Sequence, residues 1–400
     1  MSEEQAYFCY GDTTPVRDEV IQAMIPYLKS KFGLASSDYG HSFGVKAAEA
    51  LNDARETIAK AVGASPEEII FTSGGTEANN LALKGIAYNA RMRNKGKHIV
   101  TSSIEQSSVR DTCNALEKEG FEITYLKVDA VGRVDPKDIA DAIHTDTILV
   151  TIQHGNGEIG VIQDIKAIGE ICREHKVLFH TDAVQSFCKI PINVEEMKLD
   201  LMTVSAHLIY GPKGIGALYV RKGIRLAKQI HGGFYERNLR GGTENIPAIV
   251  GFSKAVELFD WSDVEFFAEV RGYLIEKLIN SISDVQVTGP LDNRLPHVAS
   301  FVINYVEGES LLLHLDMHGF SIATGSACST KRLQASHVLT AIGIPQEISH
   351  GSIRMTLGLG NTREQVDRLI ETLSEVVNRL REISPMSPEL MRKWQETGNI

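Results

Sequence analysis

Two segments in the first half of this sequence combine residue types that can bind an ionic ligand. Ser73-Gly74-Gly75-Thr76 lies between a strand-like and a helix-like run, where free backbone N–H groups and the helix dipole favour a phosphate. His180 to Gln185 follows an apolar strand and places Asp182 at its carboxyl end, where ligands bind in open α/β sheets. An ordinary strand-to-helix turn and a helix-capping aspartate are the competing interpretations.

Three later segments add an imidazole, a thiol and a guanidinium group. Ser205-Ala206-His207 ends another strand before a glycine-rich turn at 211–214. Cys328 stands among small residues, which predicts an accessible thiol rather than the buried, inert cysteine that is more usual. Arg354 can hold a carboxylate with two hydrogen bonds, although an arginine considered alone more often forms a surface ion pair.

The elements that position these residues alternate between strands and helices in the first part of the chain. This alternation predicts an α/β fold whose sheet is mainly parallel and covered by helices on both faces. Helices lie between most of the predicted strands, which cover 68–72, 98–102, 121–128, 147–152, 177–180, 201–205 and 215–221.

The pattern changes after about residue 251, where long helical segments surround few strands. We predict a large domain at 15–258 and a smaller α+β domain formed by 1–14 and 259–400, which carries the Cys328 loop. Further helices are predicted to begin at Thr14 and Pro15 and to cover 46–62, 252–282 and 363–383.

Composition and charge exclude several classes of protein. With 51 acidic and 41 basic residues the net charge is −10, so we expect no direct nucleic-acid binding. No apolar run approaches the length of a membrane span, and the first residues are polar, so we expect a cytoplasmic protein. The five cysteines include no Cys-x-x-Cys pair, which argues against a disulfide scaffold or a zinc site, and no metal ligand set is predicted.

Taken in order, the segments resemble the cysteine desulfurase family of fold type I aminotransferase-like enzymes, which use pyridoxal phosphate to move sulfur out of cysteine. The resemblance extends from Tyr10 to about Ser384. The matching strings lie at 71–80, 180–185, 211–220, 240–245, 325–329, 336–339 and 351–354.

The resemblance implies a role for each matching residue. Asp182 would pair with the protonated pyridine nitrogen, Arg354 would hold the substrate carboxylate, and Cys328 would attack the substrate sulfur and become a persulfide. The implied contacts to the cofactor phosphate are Gly75, Thr76, Ser205, His207 and, from the other subunit of a homodimer, Thr243, while those to the ring hydroxyl are Asn156 and Gln185.

Two positions depart from the family pattern. Leu208 stands where the family has the lysine that forms the Schiff base with the cofactor, and Gln106 stands where it has the histidine that stacks on the ring. Leucine cannot form an imine, and an amide does not titrate. Any bound pyridoxal phosphate is therefore expected to be held noncovalently. We do not expect Lys189 or Lys213 to replace the missing lysine, since Lys213 already has its own place in the family's Gly-Pro-Lys-Gly turn.

These departures leave the activity open between two hypotheses. The first is a sulfurtransferase that mobilises sulfur from L-cysteine through a Cys328 persulfide, delivering it to an iron–sulfur scaffold protein or to another acceptor. The second is an inactive, dimeric scaffold for iron–sulfur assembly that receives external sulfide and uses Cys328 as a sulfur carrier or transient cluster ligand. An aminotransferase or β-lyase fits less well because those reactions need the missing lysine and have no use for Cys328.

Overall fold

The computed structural model describes residues 5–325 and 335–384, so Cys328 lies outside the described residues. Its central sheet has seven strands in the order β2-β8-β7-β6-β5-β3-β4. The sheet strands are β2 (Ile69–Thr72), β3 (His98–Ser102), β4 (Glu122–Leu126), β5 (Thr147–Thr151), β6 (Leu178–Asp182), β7 (Leu201–Ser205) and β8 (Gly216–Val220).

The sheet is parallel apart from β8, which runs antiparallel to both of its neighbours. Alternate side chains enter two different cores: Phe71 and Val100 pack on one face, while Ile70 and Ile99 pack on the other. This alternation follows from the two-residue period of a strand. The predicted mainly parallel sheet, covered on both faces, is confirmed.

Helices cover both faces of this sheet and surround the smaller strands that follow. Among the described residues, no helix is long and apolar enough to cross a membrane. The helices are α1 (Asp18–Lys29), α2 (Ser42–Val62), α3 (Gly75–Met92), α4 (Ser107–Lys118), α5 (Pro136–Ala142), α6 (Ile165–His175), α7 (Ile246–Glu257), α8 (Trp261–Ser281), α9 (Gly308–Met317), α10 (His337–Ala341), α11 (Gln346–Ser349) and α12 (Arg363–Ile383).

A second group of strands lies outside the central sheet. The strands β9 (Val285–Val287), β10 (Val298–Ile303) and β12 (Ser352–Thr356) form an antiparallel sheet in the order β12-β10-β9. The N-terminal strand β1 (Ala6–Tyr7) pairs with β11 (Phe320–Ser321). One hydrophobic core joins Ala6 and Phe8 to residues between 270 and 377. The domain boundaries at 15 and 258 stay a prediction.

Three predicted helices were wrong in their bounds. The helix predicted over 46–62 begins at Ser42, because the His41 side chain caps it by accepting a hydrogen bond from the Gly44 N–H. The first helix begins at Asp18 rather than at Thr14 and Pro15, because the Thr14 hydroxyl donates to the His207 carbonyl and accepts from the Tyr210 N–H, each at 2.9 Å. The helix predicted over 252–282 is divided between α7 and α8. Asp260 caps the start of α8 by accepting a hydrogen bond from the Ser262 N–H.

Candidate active site

The N-terminus of α3 lies at the carboxyl end of the central sheet. Gly216 of β8 pairs with Thr72 on one side and with Ser205 on the other, which brings both strand ends beside the turn at Gly74. A Cβ on Gly216 would lie 2.8 Å from the Gly74 Cα, so the close approach requires glycine. The first N–H groups of an α-helix have no intrahelical acceptor, so this edge of the sheet presents free donors.

Ser205 and His207 stand beside these donors. The Ser205 Oγ lies 2.8 Å from the His207 Nδ1. Burial lowers the pKa of His207, and the positive charges of Lys189 and Lys213 lower it further. The imidazole is therefore neutral at physiological pH, and its N–H is able to donate a hydrogen bond to a bound anion.

Asp182 ends β6 as a buried carboxylate with two protein donors. The Asn79 amide donates to its Oδ2 at 2.7 Å, and the Val184 N–H donates to its Oδ1 at 2.9 Å. Burial raises the pKa of Asp182, while these two donors act in the opposite direction. The site therefore favours a cationic ligand atom that would compensate the buried charge.

Two amide side chains follow neighbouring strands, Asn156 after β5 and Gln185 after β6. The Gln185 Nε2 donates to the Gly11 carbonyl at 3.0 Å, and its Oε1 lies 3.4 Å from the Nε2 of the buried His297. Asn156 braces its own loop: its Oδ1 accepts from the N–H groups of Glu158 and Ile159.

Positions 106 and 208, which depart from the family pattern, have contrasting surroundings. Gln106 is a half-buried residue that precedes α4, and its neighbour Glu105 is fully buried and accepts from the Ser102 hydroxyl at 2.6 Å. Burial raises the pKa of Glu105 to about 8. Leu208, 2% exposed, follows His207 and lines a small cavity with Lys189. The side chain at position 208 therefore provides no amine that could bind the cofactor covalently.

Arg354 lies buried on β12 and already has an anionic partner. Its Nη2 lies 2.5 Å from the Asp12 Oδ1, and its Nη1 donates to the Gly157 carbonyl at 3.4 Å. Arg354 is not the surface ion pair that an isolated arginine suggests, because its side chain is 9% exposed whereas that of Asp12 is 43% exposed. An incoming carboxylate would compete with Asp12 for this guanidinium group.

Residues on both sides of the segment 326–334 approach one carboxylate. The Ser336 hydroxyl donates to the Glu158 Oε1 at 2.5 Å, and a Cβ on Gly325 would lie 2.9 Å from the same oxygen. Burial raises the pKa of Glu158 to about 7. Glu158 thereby connects the residues that flank the Cys328 segment to the loop that contains Asn156.

Thr243 stands apart from these side chains. It is exposed and lines a surface cavity with Ser73, on a segment held in place by the buried ion pair of Arg55 and Glu236. Glu236 also accepts from the Phe71 N–H of β2 at 2.7 Å. The exposed position leaves Thr243 available to a second copy of the chain. Within the described residues, no cluster of three or more histidine, cysteine or acidic residues could hold a metal.

The chain was compared with protein-family models and with known proteins. Residues 6–369 match the aminotransferase class-V model. Relatives named cysteine desulfurase IscS are 50% identical over 390 residues in Dictyoglomus turgidum and 49% identical over 390 residues in Methanosarcina thermophila. The chain belongs to the cysteine desulfurase family. The first alignment covers 97% of this chain and 98% of the relative, and the second covers 96% and 95%.

Solved structures agree with this assignment. A NifS-like protein superposes with a TM-score of 0.86 at 34% identity, covering 94% of this chain and 99% of the other. A structure described as SspA in complex with cysteine has a TM-score of 0.79 at 40% identity and covers 89% and 99%. The fold type I architecture expected from the sequence is therefore confirmed.

Enzymes of this family depend on pyridoxal phosphate, and the geometry of the pocket fits that cofactor. The free donors at the start of α3, with Ser205 and His207, fit a phosphate. The buried Asp182 carboxylate fits a protonated ring nitrogen. The assignment of individual contacts, and the loss of a covalent anchor at Leu208, stay predictions.

Sequence reasoning missed three residues of this site. Asn79 had a detectable signal, because it follows Thr76 by three positions and so shares its helix face. Asp12 and His297 had none, since each comes from a distant part of the chain and reaches the site only through the fold.

Proposed function

We propose that this protein is a cysteine desulfurase-like sulfurtransferase that mobilises sulfur from L-cysteine onto Cys328. The names of its relatives support this proposal. The observation that carries it is the Asp182 carboxylate, buried at the carboxyl end of β6 and held by Asn79 and Val184. A buried carboxylate at this position stabilises a protonated pyridine nitrogen, which the chemistry of the family requires.

The roles of the chain's own groups follow from their charges. Pyridoxal phosphate supplies an electron sink for the substrate carbon when it is bound. Asp182 keeps a proton on the ring nitrogen, and His207 and Ser205 orient the phosphate at the start of α3. Arg354 exchanges Asp12 for the substrate carboxylate and so fixes which face of the amino acid meets the ring.

Sulfur transfer itself needs a thiolate. The Cys328 thiolate attacks the substrate sulfur and forms a new S–S bond, while the carbon–sulfur bond breaks and its electron pair returns to the substrate carbon. Protonation of that carbon gives alanine, and the sulfur remains on Cys328 as a persulfide. The acceptor is an iron–sulfur scaffold protein or a thiolation enzyme that reduces or captures the persulfide.

A second function is favoured by the apolar side chain at position 208. Leu208 is buried and provides neither an anchor nor a proton carrier, and Gln106 provides no titrating group. In this alternative the protein is a dimeric scaffold for iron–sulfur assembly, with sulfide supplied externally. Cys328 then serves as a transient cluster ligand, because sulfide cannot become a persulfide on this thiol without a two-electron oxidant.

A homodimer is part of both proposals. Large apolar side chains are exposed on the segments near the start of α2 and before Thr243: Phe32 is 68% exposed, Tyr39 92% and Phe234 88%. Exposed apolar groups of this size favour burial against a partner. Light scattering during gel filtration tests the dimer, and a monomer at micromolar concentration would contradict it.

The proposed activity is tested by spectroscopy followed by product analysis. The purified protein is titrated with pyridoxal phosphate, its visible absorption is recorded, and L-cysteine is added while alanine and sulfide are measured. Cofactor binding with alanine release supports the sulfurtransferase. Binding without alanine would overturn it in favour of the scaffold.

Two variants serve as matched controls for this assay. Cys328→Ser should keep cofactor binding but lose the persulfide. Leu208→Lys restores an amine at the departing position, so activity appearing only in this variant would identify the natural protein as a silenced desulfurase.

A further inference from the structure

One buried amine has no partner that accounts for its burial. Lys189 is 6% exposed, and its Nζ has no hydrogen-bond acceptor within the part of the chain that the structure describes. Burying an ammonium group without a partner is strongly unfavourable, so such a group calls for an explanation in its surroundings. Neither the fold nor the mechanism described above uses this amine.

The Lys189 side chain lines a cavity together with Leu208, the residue that stands in place of the family's lysine. Lys189 and Leu208 line the same space of about 20 Å³, which is large enough for about one water molecule. Cys188 and Tyr210 are also among its walls. Lys189 therefore borders the same cavity as Leu208, the position at which the family pattern has its lysine.

The charge of Lys189 acts on two imidazoles of the site. After the larger effect of their own burial, the positive charge of Lys189 lowers the pKa of both His207 and His297. His207 contacts Ser205 at the phosphate end, whereas His297 contacts Gln185. The amine is therefore close enough to both imidazoles for its charge to act on them.

The protonation of Lys189 suits a nucleophilic amine. Burial lowers the pKa of Lys189 to about 8, so a much larger fraction of it is neutral near pH 7 to 8 than for an ordinary lysine. Lys213, the other lysine near His207, is exposed on the glycine-rich turn. An exposed ammonium group keeps its hydration and is less suited to attack a carbonyl carbon.

The sequence alone led us to expect noncovalent binding and no rescue by Lys189, and the surroundings of this amine favour the opposite. We propose that Lys189 is the amine that engages the aldehyde of pyridoxal phosphate in this protein, replacing the one absent at Leu208. The Nζ lone pair attacks the aldehyde carbon, a C=N bond replaces C=O, and the oxygen leaves as water after two protons are transferred from nitrogen. No oxidant or reductant is needed. The inference rests on cofactor binding in the pocket proposed above.

Borohydride trapping tests this assignment directly. The full-length protein is incubated with pyridoxal phosphate, reduced with sodium borohydride, digested and analysed by peptide mass spectrometry. The expected result is a pyridoxyl label on the peptide that contains Lys189. Lys189→Met should lose this label, Lys213→Met should retain it, and Leu208→Lys is the positive control for labelling.

A separate measurement of cofactor binding shows whether a negative result contradicts the role of Lys189 alone or also the proposed cofactor pocket. Equilibrium dialysis gives the bound pyridoxal phosphate of each protein before reduction. A label on Lys213 or elsewhere, or stoichiometric binding without any label, would overturn the role of Lys189 alone. No binding by the natural protein would overturn both the role of Lys189 and the proposed pocket.

Folding of the variant is checked by thermal denaturation. Lys189→Met replaces an unpartnered cation by an apolar side chain of similar length, so its midpoint should not fall below that of the natural protein. A folded Lys189→Met protein that keeps the label at an unchanged level would also overturn the assignment.

Discussion

The guanidinium Nη2 of Arg354 lies 2.5 Å from the Oδ1 of Asp12, so the group expected to hold a substrate carboxylate is already paired with a carboxylate of the chain itself. Arg354 is buried, whereas Asp12 is partly exposed and is able to swing away. With the proposed role of Arg354, substrate binding is an exchange of one carboxylate for another. The proposal therefore predicts that Asp12 affects substrate affinity.

Replacing Asp12 by asparagine should strengthen the binding of amino acid carboxylates. The exchange then no longer breaks a charge-assisted hydrogen bond, and a gain of about 1.4 kcal/mol, or roughly tenfold in Kd, is expected. Titration calorimetry with L-alanine on the cofactor-loaded protein measures the change. Asp263→Asn breaks the remote Arg17 pair and is the matched control. Equal affinities in natural and Asp12→Asn proteins would contradict the competition.

Removing the Asn79 amide should weaken cofactor binding. Asn79→Ala deletes the donor to the Asp182 Oδ2 and leaves a buried carboxylate with the Val184 N–H. The free energy of unfolding should fall by about 1 to 3 kcal/mol, and the Kd for pyridoxal phosphate should rise roughly tenfold. Urea unfolding and cofactor titration measure these effects. Asn89→Ala, on the same helix, should change neither, and an unaltered cofactor Kd in Asn79→Ala would refute the role of the amide.

Neutralising Glu158 should remove part of the pH dependence of stability. The unfolded chain ionises this group near its ordinary value of 4.5, whereas burial raises its pKa to about 7 in the folded protein. Between these values the folded state binds more protons, so the free energy of unfolding falls as pH rises. Glu158→Gln should gain on the order of 1 to 3 kcal/mol relative to the natural protein between pH 5 and pH 8. Parallel urea-unfolding results at both pH values would exclude this contribution.

Breaking the ion pair that holds the Thr243 segment should destabilise the protein strongly. Arg55 and Glu236 are both buried, with an Nη2 to Oε1 distance of 2.7 Å. Glu236→Ala leaves a buried guanidinium group unpaired and should lower the free energy of unfolding by about 3 to 5 kcal/mol. The exposed pair of Arg363 and Glu269 provides the control, since Glu269→Ala should cost less than about 1 kcal/mol. Similar losses in both variants, measured by guanidinium unfolding, would show that burial does not set the effect.

The elements that follow local patterns were predictable from the sequence. The strand predicted at 98–102 and the helix at 363–383 have the same bounds in the structure. Their apolar periods and caps, such as Thr362 with Gln365 at the start of α12, lie within a few residues of each other. The position of Asp182 at a strand end was predictable for the same reason.

Elements whose bounds depend on distant partners were not predictable in this way. Thr14 has the side chain of a helix cap, yet its hydroxyl bonds to the loop that follows β7 and the helix begins later. The sequence signal at Thr14 is genuine but local, and a long-range hydrogen bond overrides it.

The sequence by itself determined the family, the α/β sheet and the residue types offered to the cofactor, because these are encoded by local periodicity and short motifs. Only the tertiary structure decided that Asp12 pairs with Arg354, and that Lys189 shares a cavity with Leu208. Such relationships join residues far apart in the chain. Distances of this kind are set by how the elements pack, about which the spacing of residues along one segment carries no information.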